Sequence, residues 1–234
     1  MFFDVSDRQN TVFNGATVQG LNGKSPSSIN VTQPLAVNQP VDGGTDIDCF
    51  DASNEKWLDG GSNYIFSDSS HSGLSMMFLT KHPSSFDARF VYDFGGYGGT
   101  GYGLNYNTIR YEGYTPVNHG GAGSLNNSLS SPTTDWVVLS MIVEFGVVQK
   151  IFRNLQEEAQ SAISGLSKLD SSVMSDASTR NSNGGPVCLG TQCKSPAGNR
   201  RYLGRIKNAI VCDEAWSDYQ HRLYYMYQRN KILV

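Results

Sequence analysis

Residues 202–220 read Tyr202-Leu-Gly-Arg-Ile-Lys-Asn-Ala-Ile-Val211 and then Cys212-Asp-Glu-Ala-Trp-Ser-Asp-Tyr-Gln220. Gly204 lets the backbone bend into a strand where a side chain would collide with its neighbours. Ile206, Ala209, Ile210 and Cys212 supply a buried side whose alternation is imperfect, which points to a β-bulge. Ser217-Asp-Tyr-Gln220 is a capping box, its hydroxyl and amide serving the free backbone donors of a first helical turn. Leu223, Met226 and Tyr227 then share one helix face. This segment predicts a last strand leading into one short helix.

Upstream, the chain falls into apolar runs separated by Gly, Asn and Pro: Ile47–Phe50, Tyr64–Phe66, Leu74–Thr80, Ala88–Phe94, Gly103–Tyr111, Trp136–Phe145, Val147–Phe152 and Val187–Gly190. Ala88, Phe90, Tyr92 and Phe94 alternate with Arg89, Val91 and Asp93. Read as one strand, 103–111 sets Leu104, Tyr106, Thr108 and Arg110 against Asn105, Asn107, Ile109 and Tyr111. Aromatic and β-branched residues at period two signal an antiparallel sandwich. Residues 155–173 fit either a helix or a chain that turns at Arg153-Asn154-Leu155 and returns as a strand; the strand is preferred. Residues 1–45, rich in Gly and Pro, read as an arm or as extra short strands ahead of a body at 46–234.

Composition narrows the function. The 234 residues carry 18 Lys+Arg against 21 Asp+Glu, a net charge of −3, and the pI is near 5.8. A protein that neutralises phosphates would carry a basic excess, so no nucleic-acid partner is expected. The longest apolar stretch, Trp136 to Val148, is broken by Ser140, Glu144 and Gly146 and is too short to cross a bilayer. No membrane insertion is expected. The opening Met1-Phe-Phe-Asp-Val-Ser-Asp7 has neither a basic nor an apolar leader region, so no secretory signal is expected.

Four cysteines allow three pairings. Cys188 and Cys193 bracket four residues that a hairpin could close as a local disulfide, leaving Cys49 and Cys212 to pair by elimination. Four buried thiols are the alternative. A zinc site is disfavoured, since no second closely spaced pair accompanies the first. Asp46, Asp48, Asp51 and Asn54 form a short acidic cluster of hard oxygens suited to Ca2+, although their spacing is not that of an EF-hand. Gly96-Tyr-Gly-Gly-Thr-Gly101 matches a dinucleotide fingerprint only formally, because another strand follows where a helix is required. The four histidines are scattered, no nucleophile elbow occurs, and no E-x-D-x-x-E run sets paired carboxylates on one strand face, so no enzyme is expected. Tyr97, Tyr102, Tyr106, Tyr111 and Tyr114 crowd one region with Asn105 and Asn107 nearby. Flat rings stack on sugars and amides read hydroxyls, so Tyr97, Tyr102, Asn105, Tyr106 and Tyr111 are candidate glycan-binding residues; core or cross-strand pairing is the competing use.

Several segments together resemble the laminin-G-like, concanavalin-A-like jelly roll. Asp46-Ile-Asp-Cys-Phe-Asp-Ala-Ser53 is similar to its opening stretch, and Gly73-Leu-Ser-Met-Met-Phe-Leu-Thr80 to its first long core strand. Asp93-Phe-Gly-Gly with Gly101-Tyr-Gly-Leu-Asn-Tyr resembles its crossing hairpin, and Asp135-Trp-Val-Val-Leu-Ser-Met-Ile-Val a later core strand. The segment at 188–220 is the most specific match, with Trp216, Gln220 and Lys207-Asn208 departing from the family pattern. The resemblance implies an all-β, two-sheet antiparallel jelly-roll sandwich with a short C-terminal helix, and it adds weight to calcium at a rim. It also implies a non-enzymatic recognition or structural role. With no leader, the expected setting is a bacteriophage virion surface, as capsid decoration or fibre module, with glycan adhesion. The alternatives are a free extracellular carbohydrate-binding module and, less favoured, a glycan-cleaving enzyme. Expected partners are capsid or tail proteins, cell-surface glycans and further copies of the chain.

Overall fold

The computed structural model describes residues 2–24, 30–49, 56, 58–60, 73–81, 89–94, 102–107, 110–117, 121–126, 135–144, 146–162, 187–190, 202, 204–212 and 214–232. The first strands are β1 (Phe2–Asp4), β2 (Thr11–Asn14), β3 (Thr17–Leu21), β4 (Val31–Thr32), β5 (Val41–Asp42), β6 (Ile47–Asp48) and β7 (Leu58–Asp59). Then come β8 (Gly73–Lys81), β9 (Arg89–Phe94), β10 (Tyr102–Asn107), β11 (Arg110–Val117), β12 (Gly121–Asn126) and β13 (Trp136–Glu144). Last are β14 (Val148–Arg153), β15 (Gln156–Ala162), β16 (Val187–Leu189), β17 (Arg205–Cys212) and the helix α1 (Asp218–Ile232), with short 3-10 turns at Arg8–Asn10 and Ala36–Asn38.

Every ladder is antiparallel. One layer runs β1–β17–β8–β13–β14–β15. The other runs β12–β11–β10–β9–β16–β7–β4–β3–β2. Strands β5 and β6 bridge from β3 to the edge of β17. The expected two-sheet sandwich with a C-terminal helix is therefore the observed fold. The described part of the first 45 residues is woven into it: β1 pairs with β17, and Phe3, Val5, Val18, Leu21 and Val31 lie in the core.

Strands β8 and β13 are buried along almost their whole length. Alternate residues of a strand face opposite ways. Met76, Phe78, Val137, Leu139 and Met141 meet Val18, Leu21, Leu58 and Leu189 of the second layer. Met77, Leu79, Val138 and Ile142 meet Trp216 and α1 residues Tyr224 and Tyr225 on the other face. A strand covered on both faces has no polar side to show, which explains the near-continuous apolar runs. Its buried hydroxyls are used. Ser75 Oγ donates to the Glu214 carbonyl (2.8 Å) and accepts from Trp216 N–H (2.9 Å), fixing the approach to α1.

The C-terminal expectations hold in detail. Gln220 N–H donates to Ser217 Oγ (3.3 Å) while Ser217 N–H donates to Gln220 Oε1 (2.9 Å), a reciprocal capping box. The β17–β8 register slips between Ile206 and Asn208, the bulge that the imperfect alternation predicted. A methyl group on Gly204 would stand 2.5 Å from the Lys81 carbonyl oxygen and 2.6 Å from the Tyr202 ring. Over 155–162 the chain does turn and return: Asn154 and Leu155 have φ of +50° and +68°, the left-handed pair that closes a two-residue hairpin. The stretch 163–173 lies outside the described residues. Asn154 locks the turn to β13, its N–H donating to the Val138 carbonyl (2.9 Å) and its Oδ1 accepting from Val138 N–H (3.0 Å).

Three expectations change. Residues 103–111 are not one strand but parts of β10 and β11, paired Asn107 to Arg110. Cys49 is a buried free thiol and is not joined to Cys212. Cys49 N–H bonds the Gly204 carbonyl (2.9 Å) at one end of β17. Cys212 ends that strand eight residues later, roughly 25 Å away and far beyond a disulfide's reach. Cys188 is buried on β16 and is not part of a disulfide, and its expected partner Cys193 lies outside the described residues. The Leu223, Met226 and Tyr227 face of α1 turns outward, and the helix buries His221 and Gln228 instead.

A polar clasp ties the first strand to this helix. The Asp4 carboxylate accepts from Ser6 Oγ (2.5 Å), Tyr227 Oη (2.9 Å) and Lys231 Nζ (2.9 Å). Burial alone would raise the Asp4 carboxyl, but the Ser6, Lys231 and Tyr227 hydrogen bonds hold it below the usual carboxylate range. The same contact and burial push the Tyr227 phenol up to about 12.

Two predictions follow from this packing. Burial pushes the His221 ring down to about 4 from 6.5, against the pull of Asp218. Between those values the unfolded chain takes a proton that the folded one refuses. Stability should therefore fall as pH drops from 6.5 to 4, by about 3 kcal/mol in all, and His221→Gln should flatten that slope in denaturant titrations. Gly204→Ala should cost about 1–3 kcal/mol by the same measurement, since the Lys81 carbonyl belongs to the packed strand β8 and the Tyr202 ring is fully buried.

Candidate functional site

The candidate glycan residues fall on β10 and β11. Tyr106 stands opposite Tyr111, Asn105 opposite Glu112, and Asn107 opposite Arg110. On the other side of β11, Glu112 stands opposite Asn126 and Tyr114 opposite Ser124. Residues directly opposed in an antiparallel ladder belong to the same face, and neighbours along a strand to opposite faces. The three strands therefore sort their residues into two sets. One set holds Asn105, Asn107, Arg110, Glu112, Tyr114, Ser124 and Asn126, together with Gly103, Pro116 and Ala122, and Phe90 of β9 stands opposite Asn105. The other holds Tyr102, Leu104, Tyr106, Tyr111 and Leu125, continued by Tyr92 and Phe94 on β9.

The candidates are thus divided. Tyr102, Tyr106 and Tyr111 fall in one set of the ladder register, with Leu104 and Leu125. Asn105 belongs to the opposite, polar set. Tyr97 and the glycine-rich stretch 96–101 lie outside the described residues. Arg110, Glu112 and Asn126 were not singled out from sequence, and the cause is the break between β10 and β11. A single strand over 103–111 would put Arg110 beside Tyr106, whereas the hairpin aligns it with Asn107. The intervening Thr108-Ile109 is β-branched and carries no turn signal that would have revealed the break. Strands β11 and β12 lie against β14 and β15 of the other layer.

At the proposed calcium cluster, Asp46 is buried and its Oδ1 accepts from Arg205 Nε at 2.7 Å. Burial raises its carboxyl, and the nearby Arg205 opposes that rise. Asp48 pairs in the ladder with Arg205 and Val41, while Asp51 and Asn54 lie outside the described residues. Among the described residues no three His, Cys, Asp or Glu side chains gather as a metal site would require.

Scattered histidines gave no hint of one close pair: Ser140 Oγ and His221 Nε2 are 2.7 Å apart. That is the distance of a nucleophile and its base. Both residues are buried, however, sealed between β13 and α1, and the imidazole packs on the Phe152 ring (centroids 4.4 Å) beside Trp216. Ser140 therefore anchors a neutral imidazole in the helix–sheet seam. Ser140→Ala should leave the ring nitrogen unpaired and cost about 1–3 kcal/mol in thermal or denaturant unfolding.

The chain matches no protein-family model and no curated protein. Solved structures do resemble it. The botulinum neurotoxin serotype G binding domain superimposes with a TM-score of 0.60 at 11% identity, over 90% of this chain and 50% of that one. The binding domain of botulinum neurotoxin DC in complex with SialylT gives 0.60 at 9% identity, over 92% of this chain and 52% of that one. The CBM40 of the Ruminococcus gnavus IT-sialidase, bound to α2,3-sialyllactose, gives 0.50 at 14% identity, over 65% of this chain and 81% of that one. The chain spans about half the length of the toxin domains it matches. At these identities the likeness is one of fold, a lectin-like β-sandwich.

Proposed function

We propose that this chain is a non-enzymatic glycan-binding domain displayed outside a cell or on a virion surface, and that it reads carboxylate-bearing sugars with the polar set of β10–β12. The observation that carries the reading is the ladder register that aligns Asn105, Asn107, Arg110, Glu112, Tyr114, Ser124 and Asn126 on three adjacent strands. Amides and hydroxyls suit sugar hydroxyls, an arginine suits a carboxylate through paired N–H donors, and a tyrosine ring suits an apolar sugar face. The Tyr102, Tyr106 and Tyr111 set, which shares its face with Leu104 and Leu125, has the composition of a packing face. The fold of sugar-bound neighbours supports the same class of ligand. The CBM40 likeness weighs most, since it covers 81% of that module. A hydrolytic reading has less behind it, because the close nucleophile–base pair among the described residues is sealed under α1.

A glycan array probed with the purified chain, beside the same array after sialidase treatment, tests this. Saturable binding that sialidase removes is expected, with Arg110→Ala or Tyr114→Ala lowering affinity about ten-fold or more at an unchanged melting temperature. Tyr102→Ala and Tyr106→Ala should instead lower the melting temperature. Silence across the array, or binding indifferent to Arg110 and Tyr114, overturns the proposal. Loss of binding in a stably folded Tyr106→Ala variant would move the site to the other face.

A further inference from the structure

We infer that the outward ridge of α1 is a docking surface for a partner protein that presents an apolar groove edged with carboxylates. The ridge is anomalous for a helix already seated on its sheet. Its back is occupied by His221 and Gln228, with Tyr224, Tyr225 and Ile232 half-buried beside them. Solvent should therefore meet polar residues on the far side. It meets Tyr219, Leu223 and Met226, exposed at 71%, 52% and 48%, with Tyr227 beside them at 37%. Positions 219, 223 and 226 fall on one line at helical spacing, the pattern by which a helix enters a groove. Tyr219 to Met226 spans roughly 10 Å of a helix about 22 Å long.

Charge identifies the occupant. The helix carries Arg222, Arg229 and Lys231 against the single carboxylate of Asp218. Lys231 is held in the Asp4 clasp, while neither Arg222 nor Arg229 forms an ion pair with another described residue. Both arginines flank the same side of the ridge, so the facing surface must supply carboxylates along that edge. A second copy is a poor fit. Neither two-fold arrangement supplies a carboxylate: antiparallel helices bring like flanks together and set Arg222 of one copy beside Arg229 of the other, while parallel helices set that flank against Gln220, Tyr227 and Lys231. The residue types are those of protein interfaces, where Tyr, Met and Arg are enriched and Lys is depleted. The helix is fixed before it binds, by the capping box, the Ser75 contacts and the Asp4 clasp, so little ordering entropy opposes docking. The surface also lies on the layer opposite β9–β12, and so stands independently of what those strands bind.

A displayed library of helical hairpins with randomised groove residues, selected on the immobilised chain, tests the inference. Counter-selection uses the Leu223→Asp/Met226→Asp double variant, whose substituted side chains are half-exposed and whose fold is verified by an unchanged melting temperature. Tyr219→Asp, at the most exposed position, replaces it if that variant unfolds. The expected winners carry apolar groove residues and at least two edge carboxylates. They should lose about ten-fold or more in affinity for Arg222→Glu/Arg229→Glu, and lysines at those edges should restore it. Winners with neutral or basic edges, or no enrichment over the counter-target, overturn the inference. So does self-association in sedimentation, or flotation with phosphatidylcholine–phosphatidylserine vesicles, if the double variant abolishes it; those results assign the ridge to a second copy or to a membrane.

Discussion

The structure depends on burying strands β8 and β13 from both sides. A sandwich sheet ordinarily keeps one face for water, but here both faces are apolar, and the second must be covered by something other than the opposing sheet. The helix α1 is that cover. Its position follows from the hydroxyls the sheet keeps inside. Ser75 grips the backbone that leads into the helix, and Ser140 grips His221 within it. Trp216, Phe152 and Tyr224 fill the seam. Removing the helix would leave an oily sheet face in water, so its end of the chain belongs to the fold as much as any strand does.

Much of this was legible in the residues because the cues are local. A capping box needs only four positions, a strand bulge shows in broken alternation, and Gly204 announces a close approach. The turn at Asn154-Leu155 defeated a plausible helical spacing because Asn154 also reaches across to β13. What escaped the sequence was long-range. Nothing local says that α1 must bury its histidine and glutamine and show its leucine and methionine; that choice belongs to the sheet beneath it. Nor does any cysteine spacing show that Cys49 and Cys212 meet opposite ends of one strand. The β10–β11 break hid for a third reason, since its intervening residues favour strands, and with it went the alignment of Arg110 with the asparagines.

The two layers therefore carry different assignments. One layer is a closed unit of sheet and helix whose hydrogen-bonding side chains are spent on internal order. The other offers, on β10–β12, amides, a guanidinium, a carboxylate and an aromatic at consecutive rungs of a ladder. The proposed sugar-binding reading rests on that alignment. The likeness to toxin and sialidase-associated binding domains is one of fold.

The clasp of Asp4, Ser6, Tyr227 and Lys231 brings opposite extremes of the described chain within hydrogen-bonding distance of each other. A body whose entry and exit adjoin can be spliced into a surface loop of a host polypeptide without prising that loop apart, and its own ends can be joined and reopened elsewhere. Tension applied through both ends would load this small polar knot together with the β1–β17 ladder, whose first rung is Phe2.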